Sequence, residues 1–384
     1  MKSVFTIIKN PRYFAALFVF ASMNILTGTW VLYIPYVKEK LFLNDAEIGF
    51  ALFTFSVGAL ISIPFSSKII NSIGTGKITG IGILLFALCY VFPILSESYY
   101  QLCSSLFTIG LLSSITNIAM NSLIAEIEQL DRVNFMSTAH GFFSLGGVIG
   151  AGLGSIFITF IKIPLIHFTI IILLVSLINL FFIKKYYTIR SNISQRKTKI
   201  SFAQLKPLLM LALIGVIISG NEGSIEYWSP LFLKDEVLVT TESFLGLGFL
   251  FFSFFMMLGR FFGDKISLTI GSVKTILYGF LIAIVGHLLV LTSQFIIVLT
   301  GFSLLGMGLS VIYPEIIRLT SKSAVQNKTL AISFVSGIGF LGFLSAPVLI
   351  GYISKVSNLT YSFAILTLSC CIAVALISKL KKTF

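Results

Sequence analysis

Residues 184–206 read KKYYTIRSNISQRKTKISFAQLK, and they form the one long polar stretch in a chain of 384 residues. The sequence on either side is dominated by apolar residues, since 57% of the chain is hydrophobic and only 11% is charged. A soluble protein of this length would be roughly one quarter charged. The composition therefore indicates an integral membrane protein in which this stretch connects two apolar halves.

Each half contains six apolar segments of the length that crosses a bilayer, which is about 20 residues. The twelve predicted spans cover residues 11–37, 46–69, 77–95, 99–125, 134–161, 164–183, 207–233, 243–263, 272–293, 295–317, 328–353 and 358–379. We predict an all-α membrane protein with an N-terminal six-helix bundle at 1–183, a cytoplasmic basic linker at 184–206 and a C-terminal six-helix bundle at 207–384.

The distribution of Lys and Arg predicts the orientation of the chain. With the N-terminus inside, 22 of the 27 basic residues fall in cytoplasmic segments and five in external loops. This bias is typical of cytoplasmic loops, so the net charge of +13 needs no nucleic-acid partner. We expect a multi-pass protein of the bacterial cytoplasmic membrane with both termini inside, and we expect it to be a monomer.

The two halves share an ordered series of matching residues. Trp30 and Trp228 are 198 positions apart, Gly74 and Gly271 are 197 apart, and similar offsets relate several lysines and asparagines. Equivalent spans run in the same direction, which predicts a parallel duplication of a six-helix unit.

Four segments carry a resemblance to a known family. They read AHGFFSLGGVIGAGLG at 139–154, NEGSIEYWSPLFL at 221–233, MMLGRFFGDK at 256–265 and GRFFGDKISLTIGSVK at 259–274. With the six-plus-six repeat, they resemble the major facilitator superfamily and its MosC-like branch, which is tied by name to the inositol-amine rhizopine. The loop between spans two and three departs from the family pattern, because Asn71 stands where an Asp is usual. The resemblance implies alternating access around a central site lined by spans one, four, seven and ten.

Two carboxylates in span seven are the strongest functional signal. Glu222 is near mid-membrane, and Glu226 lies one helical turn away on the same face. A charged side chain at the bilayer centre costs at least about 2.5 kcal/mol, so this face must avoid lipid. Desolvation and mutual repulsion favour binding of at least one proton, which suits proton coupling. We expect Glu222, the deeper acid, to be the coupling group and Glu226 to help bind the solute. The alternative is a structural pair locked to an Arg or to amides.

Other polar residues are candidates for binding a solute. The amides of Asn24, Asn117 and Asn121 suit a hydroxylated ligand, although they could equally hold helices together. Tyr227, Trp228 and Tyr313 are further substrate candidates, and Trp228 has an interfacial anchoring role as its alternative.

The remaining candidates concern proton relay and gating. His140 is a possible proton relay or a packing residue, whereas His167 and His287 receive no role. Two pairs are predicted to gate transport: Arg260 with Asp264 as a conformational latch, and Glu315 with Arg318 as a gate or anchor within span ten.

These residues favour a proton-coupled symporter of a sugar, polyol or inositol-like solute. The rivals are a proton-driven exporter of amphipathic drugs or metabolites and a non-transporting membrane sensor. We expect that the protein is not an enzyme and that it binds no metal and no cofactor. The GTGK at 74–77 lacks the Ser or Thr that follows Lys in a phosphate-binding loop.

Overall fold

The computed structural model describes residues 7–190, 205–323 and 328–380, and every regular element within those ranges is helical. Twelve segments are long and apolar enough to cross a membrane, so the predicted fold class is confirmed. We number their helices α1 Pro11–Lys40, α2 Asp45–Ile73, α3 Thr75–Cys89 with Val91–Leu95, α4 Tyr99–Asp131, α5 Met136–Phe160, α6 Pro164–Phe182, α7 Leu209–Asp235, α8 Leu247–Ile270, α9 Ser272–Val290, α10 Phe295–Leu309 with Ile312–Lys322, α11 Lys328–Val356 and α12 Leu359–Leu380. Short helical turns lie at Ile183–Lys185, Lys206–Leu208 and Glu242–Leu245.

Helices α3 and α10 are each interrupted near a proline. A proline has no N–H to donate, and its ring clashes with the carbonyl group four residues earlier. Pro93 therefore disfavours a continuous helix at Cys89, and α3 breaks at Tyr90. Pro314 acts in the same way on Ser310, where the first part of α10 has just ended. The second part of α10 is consequently a separate segment that carries Tyr313 and both members of the predicted Glu315–Arg318 pair.

The chain divides into two compact units. The first contains α1 and α3 to α6 with most of α2, and the second contains α7 to α12 together with Asn44–Phe50. The division falls within the predicted linker, of which residues 191–204 lie outside the described part. The domain ends at 183 and 207 therefore stay predictions.

Glycines bring the first and fifth helices of each unit into backbone contact. A Cβ added at Gly146 of α5 would lie 2.2 Å from the carbonyl oxygen of Ala21 in α1. In the second unit, a Cβ at Gly342 of α11 would lie 1.9 Å from the carbonyl oxygen of Val216 in α7. Only a residue without a side chain permits such close packing. The predicted small-residue packing of α5 is thus present, and its counterpart recurs in the second unit.

Backbone turns repeat between the units as well. Phe42 after α1 and Leu238 after α7 both have positive φ angles, 55° and 60°. Gly74 and Gly271, which precede α3 and α9, have φ angles of 110° and 84°. The offsets between these pairs match the duplication predicted from the sequence.

The segment that follows α6 packs against α3, whereas the sequence predicted a linker from residue 184. The Gly76 amide donates a hydrogen bond of 2.9 Å to the Ile189 carbonyl oxygen. Tyr186 is only 1% exposed, and its hydroxyl has no hydrogen-bond partner among the described residues. Burial raises the pKa of Tyr186. Residues 183–190 therefore pack on α3, because the glycines that begin α3 leave room for their backbone.

The N-terminal turns of α2 pack against α11 within the second unit. The Ser354 hydroxyl donates a hydrogen bond to the Asp45 carboxylate. A Cβ at Gly49 would lie 2.5 Å from the Pro347 carbonyl oxygen, and Gly351 lies beside the same turn. These contacts explain why Asn44–Phe50 groups with the C-terminal helices.

Candidate solute and proton site

The two acids of α7 lie on one face, as their spacing predicts. Glu222 is the fourteenth residue of the 27-residue helix Leu209–Asp235, so it is at mid-helix. Its side chain is 26% exposed, and Glu226 is half-buried as well. The neighbours Asn221, Gly223 and Ser224 are buried, so the acids occupy the open side of an otherwise packed helix.

Arg260 of α8 approaches one of these acids. Its Nη2 atom lies 3.9 Å from Oε1 of Glu222, which is an ion-pair contact but too long for a hydrogen bond. The Arg260 side chain is 29% exposed. Glu226 has no hydrogen-bond or ion-pair partner among the described residues. The predicted alternative, an acid held by an Arg, is therefore present at Glu222 and not at Glu226.

The predicted latch between Arg260 and Asp264 stays a prediction. Asp264 belongs to α8, but its side chain lies outside the described residues. Arg260 nevertheless reaches across to α7, which the sequence did not predict. The contact groups Arg260 with Glu222 and Glu226, in addition to any gating role, and we call these three residues the acid cluster.

The aromatic residues beside the acids are buried. Tyr227 is 5% exposed, and its ring centroid lies 6.0 Å from that of Phe343 in a nearly perpendicular arrangement. Trp228 has no exposed surface, and its Nε1 has no hydrogen-bond partner among the described residues. The interfacial alternative for Trp228 does not fit this burial. Stacking of a ligand on Trp228 would require another conformation.

The second segment of α10 places a further charged pair close to α8. Arg318 lies 2.9 Å from Glu315, as the three-residue spacing predicts, and donates a 2.8 Å hydrogen bond to the Ser267 hydroxyl. Glu315 is 2% exposed, and the hydrogen bond from Arg318 to Ser267 ties α10 to α8. Tyr313 on the same segment lies near Ser336 of α11 and within electrostatic range of Glu222.

The amides of the first unit divide into two groups. Asn24 is buried and donates a 3.0 Å hydrogen bond to the Phe143 carbonyl oxygen, so it joins α1 to α5. Asn121 donates a 2.9 Å hydrogen bond to the side chain of Asn117 on the same face of α4, and Asn117 is exposed. The geometry at Asn24 matches the interhelical alternative, while Asn117 and Asn121 keep free bonding capacity.

His140 is exposed on the second turn of α5, and its ring packs edge-on against Phe20 at a centroid distance of 5.6 Å. Its predicted role as a proton relay stays a prediction.

Sequence reasoning missed a buried polar cluster behind the acids. The Asn221 side-chain oxygen lies 2.8 Å from Nε2 of His287, which is fully buried in α9. A signal existed, because a histidine inside an apolar span requires a polar partner. The sequence alone did not identify that partner, since Asn221 and His287 are 66 residues apart.

Comparison with known proteins places this arrangement in a family. The Major Facilitator Superfamily model matches residues 13–268 and 236–383. The chain is 25% identical over 354 residues to an uncharacterized MFS-type transporter of Yersinia pestis, covering 91% of this chain and 89% of that protein. It is 25% identical over 356 residues to the membrane protein MosC of Rhizobium meliloti, covering 90% and 84% of the two chains. These matches confirm the resemblance inferred from the sequence motifs.

Solved structures show the same fold. A mutant form of the nucleoside transporter NupG superposes with a TM-score of 0.77 at 10% identity, covering 96% of this chain and 99% of that chain. A bacterial homologue of the lysosomal transporter Spinster, in an inward-facing and occupied conformation, superposes with a TM-score of 0.73 at 14% identity, covering 97% and 96%. Because the family model covers nearly the whole length and the helices repeat six by six, this chain is a multi-pass membrane transporter of the major facilitator superfamily.

Proposed function

We propose that this transporter is a proton-coupled symporter that takes up a small polar solute of the sugar, polyol or inositol type. Glu222 and Glu226 are the working acids of the proposed mechanism, with Arg260 as the cation beside them. Both termini are cytoplasmic in this proposal, the location is the bacterial cytoplasmic membrane, and the working state is a monomer.

The unequal pairing of the two acids is the observation that carries the proposal. Glu222 has the Arg260 guanidinium 3.9 Å away, but Glu226 has no such counter-charge among the described residues. An uncompensated carboxylate within a membrane span is costly, and such residues mark proton relays in transporters. A proton that binds with the solute and leaves with it would neutralise Glu226 in one half of the cycle.

Position in the membrane alone favours Glu222 as the coupling acid, because Glu222 is nearer the middle of α7 than Glu226 is. Arg260 changes that assignment, because Glu222 already has a cation to balance its charge. We therefore assign proton coupling to Glu226 first. We assign Glu222 with Arg260 to solute orientation, where a carboxylate and a guanidinium provide both acceptors and donors for hydroxyl groups.

The amides of α4 support a hydroxylated solute. Asn117 is exposed and Asn121 is partly exposed, and their mutual hydrogen bond leaves most of their donors and acceptors available. A pathway that offered only apolar side chains would leave solute hydroxyls without partners. NupG is named as a nucleoside transporter, but we do not assign a nucleoside substrate to this chain, because 10% identity shows only a shared fold.

A second candidate function is export of amphipathic compounds. An apolar groove of about 420 Å³ between α8 and α10 favours it, lined by Phe251, Phe255, Leu299, Leu304 and Met307 among others. Such a groove accepts hydrophobic ligands, but it contains none of the charged residues of the acid cluster.

The first experiment identifies a solute that the protein binds. Purified protein is screened by thermal shift against pentoses, hexoses, polyols and inositols, since a ligand present at 100 times its Kd stabilises the folded state by about 2.7 kcal/mol. The compound that binds is then measured in proteoliposomes for accumulation driven by an imposed proton gradient and for counterflow without one.

Single Gln variants of the two acids separate their roles. Glu226→Gln should abolish accumulation while counterflow survives, because counterflow needs no net proton movement. Glu222→Gln should weaken both. Wild-type accumulation by both variants would refute the proposed coupling, and stabilisation by apolar drugs alone would favour the exporter.

A further inference from the structure

The amide of Asn221 uses all of its hydrogen-bonding capacity in a buried cluster behind the acid face of α7. Its nitrogen donates to the Ile217 carbonyl oxygen at 2.8 Å and to the Ser369 hydroxyl at 3.1 Å. Its oxygen accepts from His287 at 2.8 Å and from the Cys370 thiol at 3.5 Å. The cluster thereby joins α7 to α9 and α12.

These contacts determine the protonation of His287. A carbonyl oxygen can only accept, so the Asn221 nitrogen must face Ile217 and the Asn221 oxygen must face His287. The Nε2 atom of His287 is therefore the protonated nitrogen. The other ring nitrogen is buried and has no partner among the described residues, so a second proton there would be unsatisfied. His287 is accordingly the neutral Nε2–H form.

The cluster and the acids lie on different sides of α7. Successive residues on a helix are about 100° apart, so Asn221 and Glu222 point to different sides. Asn221 is 1% exposed, whereas the Glu222 side chain is 26% exposed. On the side towards α11, α7 presents Gly215 and Gly220, which allow the two backbones to approach closely.

We propose that His287 and Asn221 form a neutral clamp that holds α7 in the rotation exposing Glu222 and Glu226. His287 is then a positioning residue that carries no proton during transport. Only the transport role of Glu222 and Glu226 rests on the proposed function. The effect of the clamp on the orientation of α7 can be measured without any solute.

Labelling of a cysteine on the acid face tests the clamp. Glu222→Cys is introduced into full-length protein that keeps only the buried Cys370 among its native cysteines, and the rate of reaction with a charged methanethiosulfonate is measured in detergent. His287→Gln retains an amide N–H near the Nε2 position, so the labelling rate should stay within about twofold of the parent. His287→Leu and the shorter His287→Asn should change the rate by roughly tenfold, the size expected when a buried hydrogen bond is lost.

His167 provides the matched control. It is fully buried in the first unit, where its Nδ1 atom lies 2.7 Å from the Tyr33 hydroxyl. His167→Leu should leave labelling at position 222 unchanged. Unchanged labelling in both His287→Leu and His287→Asn would overturn the clamp, and a His287→Gln variant as altered as His287→Leu would overturn the role of the Nε2–H donor.

Nitrogen-15 NMR provides a readout that does not depend on access to position 222. The chain contains three histidines, so His287→Gln assigns the His287 signals by their disappearance. The expected spectrum is that of the neutral Nε2–H ring, unchanged between pH 6 and pH 8, a range around the usual histidine pKa of about 6.5. Titration of His287 in this range, or an Nδ1–H ring, would overturn the clamp. Wild-type accumulation by the Glu226→Gln variant would count against the proposed coupling but would leave both of these measurements, and the clamp, unaffected.

Discussion

The contact between Glu222 and Arg260 allows a quantitative test of how strongly the acid cluster is held within the second unit. The perturbation is a double-mutant cycle made of Glu222→Gln, Arg260→Gln and the combined variant. Arg260→Gln alone leaves Glu222 without its counter-charge, so it should be the least stable of the three. The combined variant should recover part of the loss, because it also removes the charge that was left unpaired.

The separation of the two atoms sets the expected magnitude. Two unit charges 3.9 Å apart interact by about 4 kcal/mol at an effective dielectric constant of 20 and by about 1 kcal/mol in bulk water. Both side chains are roughly a quarter exposed, so solvent screening reduces the larger figure. We expect a coupling free energy of about 1 to 3 kcal/mol between Glu222 and Arg260.

The assay is the free energy of unfolding of all four proteins, obtained by titrating SDS into mixed micelles. Arg12 and Asp131 provide the matched control, since their side chains are 31% and 24% exposed at a separation of 3.0 Å. This pair matches Glu222 and Arg260 in exposure, but it lies at helix ends, in the first turn of α1 and at the last residue of α4, whereas Glu222 is at mid-helix. We expect bulk water next to these helix ends, so the coupling of the control pair should be below about 1 kcal/mol. A coupling at Glu222 and Arg260 no larger than that of the control pair would refute the electrostatic reasoning.

Three further predictions concern other parts of the chain. A cysteine at Ser194 should react with an impermeant reagent only from the cytoplasmic side, and labelling from outside intact cells would reverse the proposed orientation. Asp264→Asn should slow transport while leaving solute affinity within a few-fold of the wild type if it acts as a latch; a large loss of equilibrium binding would instead assign Asp264 to the binding site. Tyr186→Phe should leave stability unchanged or raise it slightly because the buried hydroxyl has no partner among the described residues, whereas Tyr186→Ala should cost about 3 to 5 kcal/mol by creating a cavity. Equal melting temperatures for the two Tyr186 variants would contradict the buried packing of the segment after α6.

The sequence predicted the features that depend on local patterns. Apolar segments of sufficient length predicted the twelve spans, and the four-residue spacing of Glu222 and Glu226 predicted their common face, because helix geometry alone fixes both. The three-residue spacing of Glu315 and Arg318 predicted their ion pair in the same way.

Contacts between helices could not be derived from such patterns. The approach of Arg260 to Glu222 depends on how α8 packs on α7, and the partner of His287 is 66 residues away in the sequence. Tyr186 was assigned to a linker because the residues around it are basic and polar, and only the glycines at the start of α3 create the space that buries it. In each case the deciding quantity is the shape of a neighbouring helix.

The contact between Asp45 and Ser354 has a consequence for biosynthesis. These two residues are 309 positions apart, although the rest of α2 belongs to the unit made first. At a synthesis rate of roughly 5 to 20 residues per second, the turns at Asn44–Phe50 wait about 15 to 60 s for their partners to leave the ribosome. During that interval the other helices of the first unit can already pack, so this short stretch is the part of the N-terminal half that a membrane chaperone would have the longest opportunity to bind.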